Sequence, residues 1–250
     1  MKKLLTIGAV VFFVFAVAVT PRALSYIERQ RKIAELGRVH IPPPSSASSS
    51  TVPASSLASS FSARSVNLDV PFTPQAPLAN WDELHGEACE EASVLMAVRY
   101  FQKKPIGLPE DADIAIMELV ANNTALGFPV DDTAEEVAVL IRHEDPSLTA
   151  VVWEDPTVDQ MTEALLAGKL VIVPAAGRQL GNPFYTAPGP VYHMLVIKGF
   201  TEDGYFITND PGTKRGKDYV YRFDVLMNAI HDWNGGKVET GARRVIVVSR

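Results

Sequence analysis

An α+β fold, with N-terminal helices packed on a C-terminal antiparallel sheet, is what this sequence predicts. Three observations carry the prediction. Segments with helical spacing of apolar residues fill the first part of the region after residue 65; β-branched and aromatic runs bounded by Gly, Pro and Asp fill the second; and several of those runs are joined by short turns such as Glu202-Asp203-Gly204, which pair neighbours antiparallel. Neither GxGxxG nor GxxxxGK[ST] occurs, so a doubly wound nucleotide-binding sheet finds no support.

The chain opens as an export signal or anchor. Residues 1–20, "MKKLLTIGAVVFFVFAVAVT", place Lys2 and Lys3 before an uncharged apolar run from Leu4 to Val19. At about 1.5 Å per residue that run spans roughly 24 Å, short of a ~30 Å hydrocarbon core without bilayer thinning. Ala16-Val17-Ala18 offers a small-x-small cleavage site, so a signal-anchor and a cleaved signal peptide both remain open. Residues 21–40 form a juxtamembrane amphipathic segment with Leu24, Ile27 and Leu36 among charges. Residues 41–64 are rich in Ser and Pro, a composition that buries too little apolar surface to order itself, and read as a disordered stalk. The expected placement is a single-pass membrane protein with its domain on the extracytoplasmic side, or a secreted one if the signal is cleaved.

Residues 65–250 have the size of one domain. "NLDVPFTPQ" begins strand-like and ends at Pro74; "ACEEASVLMAVRYFQ" is helical, with Val94, Ala97, Val98 and Phe101 on one face and so few polar residues elsewhere that the helix is expected to be buried. "LPEDADIAIMELVANN" and "DDTAEEVAVLIRHE" are amphipathic helices, the second with Asp131, Asp132 or Thr133 as N-cap and Glu135 or Glu136 placed for a capping box. "TVDQMTEALLAGK" is another, stopped at Gly168. The strands "LVIVPA", "HMLVIKGF", "GYFITND", "DYVYRF" and "RRVIVVSR" follow.

Charge and cysteine content exclude several functions. A net charge of -6 without a long basic run removes the electrostatic footprint of a nucleic-acid binder. A single cysteine forms no internal disulfide and no multi-cysteine zinc site, and neither HExxH nor an EF-hand loop is present, so no metal or cofactor is expected. That cysteine, Cys89, falls at the first turn of the apolar helix, where free backbone N–H groups and the helix dipole stabilise a thiolate, and its sulfur is expected to face outward. Glu90 and Glu91 suit a helix N-terminus but oppose an adjacent thiolate. A small buried hydrophobe is the bland alternative for such a cysteine.

A nucleophilic cysteine needs a base. Of the five histidines, His40 borders the stalk, His143 ends an amphipathic helix, His85 lies only four residues before Cys89, and His231 closes a late helix. His193 opens "HMLVIKGF" after the Gly- and Pro-rich loop "GNPFYTAPGPVY", at a strand end beside a long loop. If Phe200 and Tyr205 flank the following turn, Asp210 stands opposite Leu195, a diagonal neighbour of His193 on the same face, at a Cα spacing of about 7 to 8 Å. That is nucleophile on a helix, base on one strand and an orienting carboxylate on the next. The alternative for Asp210 is a plain turn residue in "NDPG".

"VPFTPQAPLANWDELHGEACEEASVLMAV", "HMLVIKGF" and "FITNDPG" together resemble the bacterial papain-like cysteine peptidases of family thirty-nine and their wider relatives, whose founding members cut bacteriocin leaders after double glycine. The resemblance covers most of residues 66–250. It implies a papain-like fold, with Cys89 as nucleophile, His193 as general base and then acid, Asp210 as its orienter, and Gln75 as an oxyanion-hole donor. No exporter is attached, so the double-glycine preference does not follow from it. The expected activity is hydrolysis of a peptide or protein through a thioacyl-enzyme, with the membrane reached only through the N-terminal segment. A non-catalytic envelope-binding module and an acyl or isopeptide transferase are the alternatives.

Overall fold

Ala92, Val94, Met96 and Ala97 are all solvent-free, which makes the helix Cys89–Gln102 the axis of the domain. A computed structural model describes residues 65–250; the apolar segment 1–20, the juxtamembrane segment 21–40 and the stalk 41–64 lie outside the described residues. The order begins β1 (Val66–Asn67), α1 (Glu83–Gly86), α2 (Cys89–Gln102), α3 (Pro109–Ala125), α4 (Ala134–Glu144), β2 (Thr149–Glu154) and α5 (Val158–Leu166). It continues β3 (Leu170–Ala176), β4 (Tyr192–Phe200), β5 (Tyr205–Asn209), β6 (Tyr219–Arg222), α6 (Phe223–Ala229) and β7 (Arg244–Ser249). Among the described residues no helix is long and apolar enough to cross a membrane.

The strands form one seven-stranded antiparallel sheet in the order β2-β7-β3-β4-β5-β6, with β1 added to β4. Alternation assigns its two faces. Ile172, Met194, Val196 and Ile246 join α2 and the buried sides of α3 and α4, Ile116, Leu140 and Ile141, in one core. Val171, Val173, Leu195 and Ile197, one residue out of step, are equally buried on the other face, where α5 packs against β3 and β4. Thr133 and Glu136 make the capping box of α4, Thr133 Oγ1 donating to Glu136 Oε2 at 2.7 Å, and Thr157 with Gln160 makes that of α5.

Three expectations are corrected. Strand β2, "TAVVWE", interrupts the helices and returns to pair with β7 at a sheet edge, so helices do not all precede strands. Only Val66 and Asn67 of the first segment join the sheet; Pro71 and Pro74, which lack an N–H, keep the rest out of a ladder. That stretch is fastened instead by Asn209 Nδ2 donating to Val70 O (3.1 Å) and by Gln75 N donating to Pro211 O (2.9 Å). The β4–β5 turn is one residue longer than expected, with Phe200 opposite Phe206 rather than Tyr205. A bulge at Lys198 absorbs the extra residue, so Ile197 faces Thr208 and Val196 faces Asn209. Continued one step, this register sets Leu195 opposite Asp210, the pairing expected from sequence.

Gly199 lies beside that bulge, and a Cβ on it would overlap the Val66 carbonyl of β1. Gly199→Ala is expected to cost about 1 to 3 kcal/mol of unfolding free energy by forcing β1 off β4. Urea denaturation of the two proteins checks this.

Candidate active site

The first turn of α2 carries no side-chain cap: Ala88 stands at the N-cap position, and among the described residues no acceptor takes the Cys89 N–H. Cys89 is 6% exposed. Its sulfur is not aimed outward as expected; it donates to Glu90 Oε2 at 2.9 Å. Burial, then the charge of Glu90 and its hydrogen bond, push the thiol well up, while a hydrogen bond from the Met194 backbone N–H on β4 works the other way. No hydrogen bond joins Cys89 to His193 in this state.

His193 and Asp210 are bonded directly, Nε2 to Oδ1 at 2.8 Å, with the two side chains 2% and 0% exposed. Around Asp210 the donors are unusually complete. Gly212 N reaches Oδ1 at 3.0 Å, and Oδ2 accepts from Asn182 Nδ2 (3.0 Å), Tyr185 OH (2.7 Å) and Tyr221 OH (2.5 Å). Burial pushes this carboxyl up, but His193 and the phenol hydrogen bonds outweigh it and hold it below the ordinary carboxylate value. Tyr185 also stands edge-on to the His193 ring, 5.3 Å between centroids. Gly212 has no room for a side chain, since a Cβ would lie 2.8 Å from His193 Cε1 and 2.9 Å from Tyr185 Cε1.

Asn182, Tyr185 and Tyr221 escape sequence reading. They come from the loop after β3 and from β6, and only the completed sheet order brings them to Asp210. The other described histidines serve the scaffold. His85 is buried between two carboxylates, Nδ1 to Asp82 Oδ1 at 2.7 Å and Nε2 to Asp113 Oδ1 at 3.0 Å; His143 is half exposed beside Glu144; His231 faces the Gly241 carbonyl at 2.9 Å.

Cys89, His193 and Gln75 line one cavity of about 730 Å³, with Trp81, Tyr185 and Trp233 among its walls and Asp210 behind His193. Gln75 Nε2 donates to the carbonyls of His85 (2.9 Å) and Gly86 (2.7 Å). Both amide hydrogens therefore brace the loop entering α2, and a flipped amide would set oxygen against two carbonyl oxygens. In this state Gln75 offers no free donor to an oxyanion.

Behind Cys89 lies a buried acidic group. Glu90, Glu91 and Asp132 are 1%, 4% and 0% exposed; Glu90 Oε1 and Glu91 Oε2 lack a protein partner among the described residues, while Asn123 stands beside Asp132. Burial and the charge of Glu91 push Glu90 well up; burial and Asp132 raise Glu91 to about 7, and burial with Glu136 and Asp131 raises Asp132 to about 7. No cluster of His, Cys, Asp and Glu among the described residues has metal-binding geometry.

A buried central helix with cysteine at its first turn, packed on an antiparallel sheet that carries histidine and aspartate on adjacent strands, is the fold of the papain-like cysteine peptidases. The profile of the Peptidase_C39 like family matches residues 67–237, and the chain belongs to that family. A crystal structure of a protein assigned as a C39-like peptidase from Bacillus anthracis superposes with a TM-score of 0.50 at 16% identity, covering 75% of this chain and 98% of that one. No curated protein matches the sequence.

The acidic group makes stability fall with pH. Unfolded, Glu91 and Asp132 lose their protons near 4.5 and 3.8, whereas folded they keep them to about 7. Across that window the unfolded chain holds fewer protons than the folded one, so unfolding becomes easier as pH rises, and for these two groups the effect levels off above about 7. Asp210 acts oppositely, its stabilisation lost as pH falls below its ordinary 3.8. The melting temperature is expected to drop by a few degrees over the window, and Glu91→Gln to flatten the drop, as calorimetry across pH would register.

Proposed function

We propose that this protein is a cysteine peptidase that hydrolyses peptide bonds through a thioacyl-enzyme, with Cys89 as nucleophile, His193 as acid and base, and Asp210 as its orienter. The observation that carries the reading is the shared cavity: a cysteine at the uncapped first turn of a buried helix, beside a histidine bonded to a buried, ionised aspartate. The cavity admits a peptide segment, and its mixed apolar and polar walls suit a chain rather than a small ion.

The scissile carbonyl, seated over Cys89, is attacked by sulfur. The developing oxyanion meets the unclaimed Cys89 N–H, a donor of a kind worth roughly 3 to 4 kcal/mol in comparable sites. Gln75 can add a second donor once one of its hydrogens leaves the carbonyl of His85 or Gly86. His193 protonates the departing amine, then takes a proton from the water that hydrolyses the thioester. Asp210, pinned by its donors, keeps the imidazole in one orientation throughout. The N-terminal apolar segment and Ser/Pro stalk support an extracytoplasmic, membrane-tethered placement acting on exported or envelope proteins.

Wild type and Cys89→Ala, each incubated with an envelope-protein digest and compared by mass spectrometry of new termini, test the reading. The wild type is expected to generate products that Cys89→Ala does not, and His193→Ala to lower turnover of any such peptide by about 10²- to 10⁴-fold. Identical product profiles for wild type and Cys89→Ala would sink it in favour of a binding module.

A further inference from the structure

We propose that His85 is a positioning residue of the oxyanion hole: its ring, clipped between Asp82 and Asp113, fixes the backbone carbonyls on which the Gln75 amide pivots. This rests on the peptidase reading above, with Gln75 as the second oxyanion donor. Each ring nitrogen faces a carboxylate oxygen, Nδ1 to Asp82 Oδ1 at 2.7 Å and Nε2 to Asp113 Oδ1 at 3.0 Å, and the Asn80 amide nitrogen lies 3.1 Å from Nδ1.

The segment that carries the acceptors of Gln75 has little to hold itself in place. Helix α1 is a single turn, Glu83–Gly86, too short to persist by its own hydrogen bonds, and it ends on a glycine. From Leu78 to Glu87, His85 is the only buried residue, so its side chain is what roots the segment in the domain. Asp82 caps the turn, its Oδ1 accepting from His85 N at 2.9 Å. Asp113 ties the ring to α3, whose Ile116 and Leu119 belong to the core.

Gln75 joins that segment to the other half of the site. Its Nε2 donates to His85 O at 2.9 Å and to Gly86 O at 2.7 Å, while its backbone N donates to Pro211 O at 2.9 Å, one residue beyond Asp210. The residue is therefore held from both sides, by the turn that leads to Cys89 and by the turn that follows Asp210. When one amide hydrogen swings to the substrate oxygen, the other keeps its bond to a carbonyl that the His85 clip holds still. The donor then moves on a fixed hinge instead of a loose loop. A misplaced donor costs rate more than affinity, because full negative charge on that oxygen develops only toward the transition state.

Turnover of a peptide that the wild type cleaves and Cys89→Ala does not, followed in single and double variants of the full chain, tests the clip. His85→Ala is expected to lower kcat about tenfold with KM within about twofold of wild type, Gln75→Ala to lower kcat about 10²-fold, and the double variant to match Gln75→Ala within about twofold. Independent losses would multiply instead, to about 10³-fold, and that outcome overturns the proposal. Alkylation of Cys89 by iodoacetamide builds no oxyanion, so His85→Ala is expected to react within about twofold of the wild-type rate; a larger loss places the damage in the first turn of α2 and overturns the proposal as well. Asp113→Ala opens the clip from the partly exposed face of α3, so the test does not hang on the folding of His85→Ala, and it is expected to lower kcat about fivefold with Gln75 present and not with Gln75→Ala. Unchanged kcat in both His85→Ala and Asp113→Ala overturns the proposal and leaves the peptidase reading standing. A wild type that yields no Cys89-dependent product overturns the peptidase reading, and the role of His85 with it.

Discussion

From Cys89 to Val98 helix α2 is buried on every side, and that burial sets what its first turn is able to be. On a surface helix, acids at the second and third positions would sit in water and answer the helix dipole. Here the apolar run from Ala92 to Val98 leaves no solvent face, and Glu90 and Glu91 are drawn inward with it. A charge taken out of water is costly unless paired, and among the described residues no Lys or Arg pairs with either of these two. Holding a proton is what relieves them. The same packing sets the Cys89 sulfur against its neighbouring carboxyl and strand β4, at the wall of the cavity.

The sheet supplies the other half of the site, and its register is the sensitive quantity. Shifting a strand by one residue turns each side chain to the opposite face. The long β4–β5 turn introduces such a shift, and the bulge at Lys198 cancels it before the strand reaches His193. Lys198 itself is buried and bonded to Asp218 at 2.5 Å, while its carbonyl accepts from Leu68 N at 2.8 Å, so the bulge is tied to β6's approach on one side and to the N-terminal segment on the other. Asp210 then arrives where strand β5 ends and becomes the meeting point of the β3–β4 loop, strand β6 and the Gly212 turn.

What the sequence made legible follows its periodicities. Val94, Ala97, Val98 and Phe101 announced a buried helix, and the β-branched runs the central strands; a cap for α4 was legible too, but only packing chose Thr133 with Glu136 over Asp131, Asp132 and Glu135. The approach of Asp210 to His193 was legible too, because a strand period and a hairpin constrain where side chains fall. The lost parts depend on contacts no period encodes. Tyr221 reaches Asp210 only because β6 pairs with β5, and Asn182 only because the loop after β3 folds back over it. The direction of the Cys89 sulfur and of the Gln75 amide is settled by packing and by two backbone carbonyls, features to which residue type is blind. Strand β2 was hidden for a simpler reason: as a half-exposed edge between two helices it lacks the continuous apolar run of its neighbours.

Two buried carboxylates flank the reacting atoms, and their surroundings drive them apart. Asp210 is as dry as Glu90, yet it collects hydrogen bonds from His193, Gly212, Asn182, Tyr185 and Tyr221, and gives up its proton. Glu90 faces only acids and a thiol, with one oxygen left bare, and keeps its affinity for one. Equal burial with unequal donor supply is enough to make one carboxyl a fixed anion and the other a group that holds its proton. A fixed anion is what a histidine needs to stay oriented and to bear positive charge; a carboxyl that keeps its proton adds no negative charge beside the sulfur. The acids after Cys89, which look like an obstacle to the nucleophile when read as charges, become compatible with it once burial keeps protons on them.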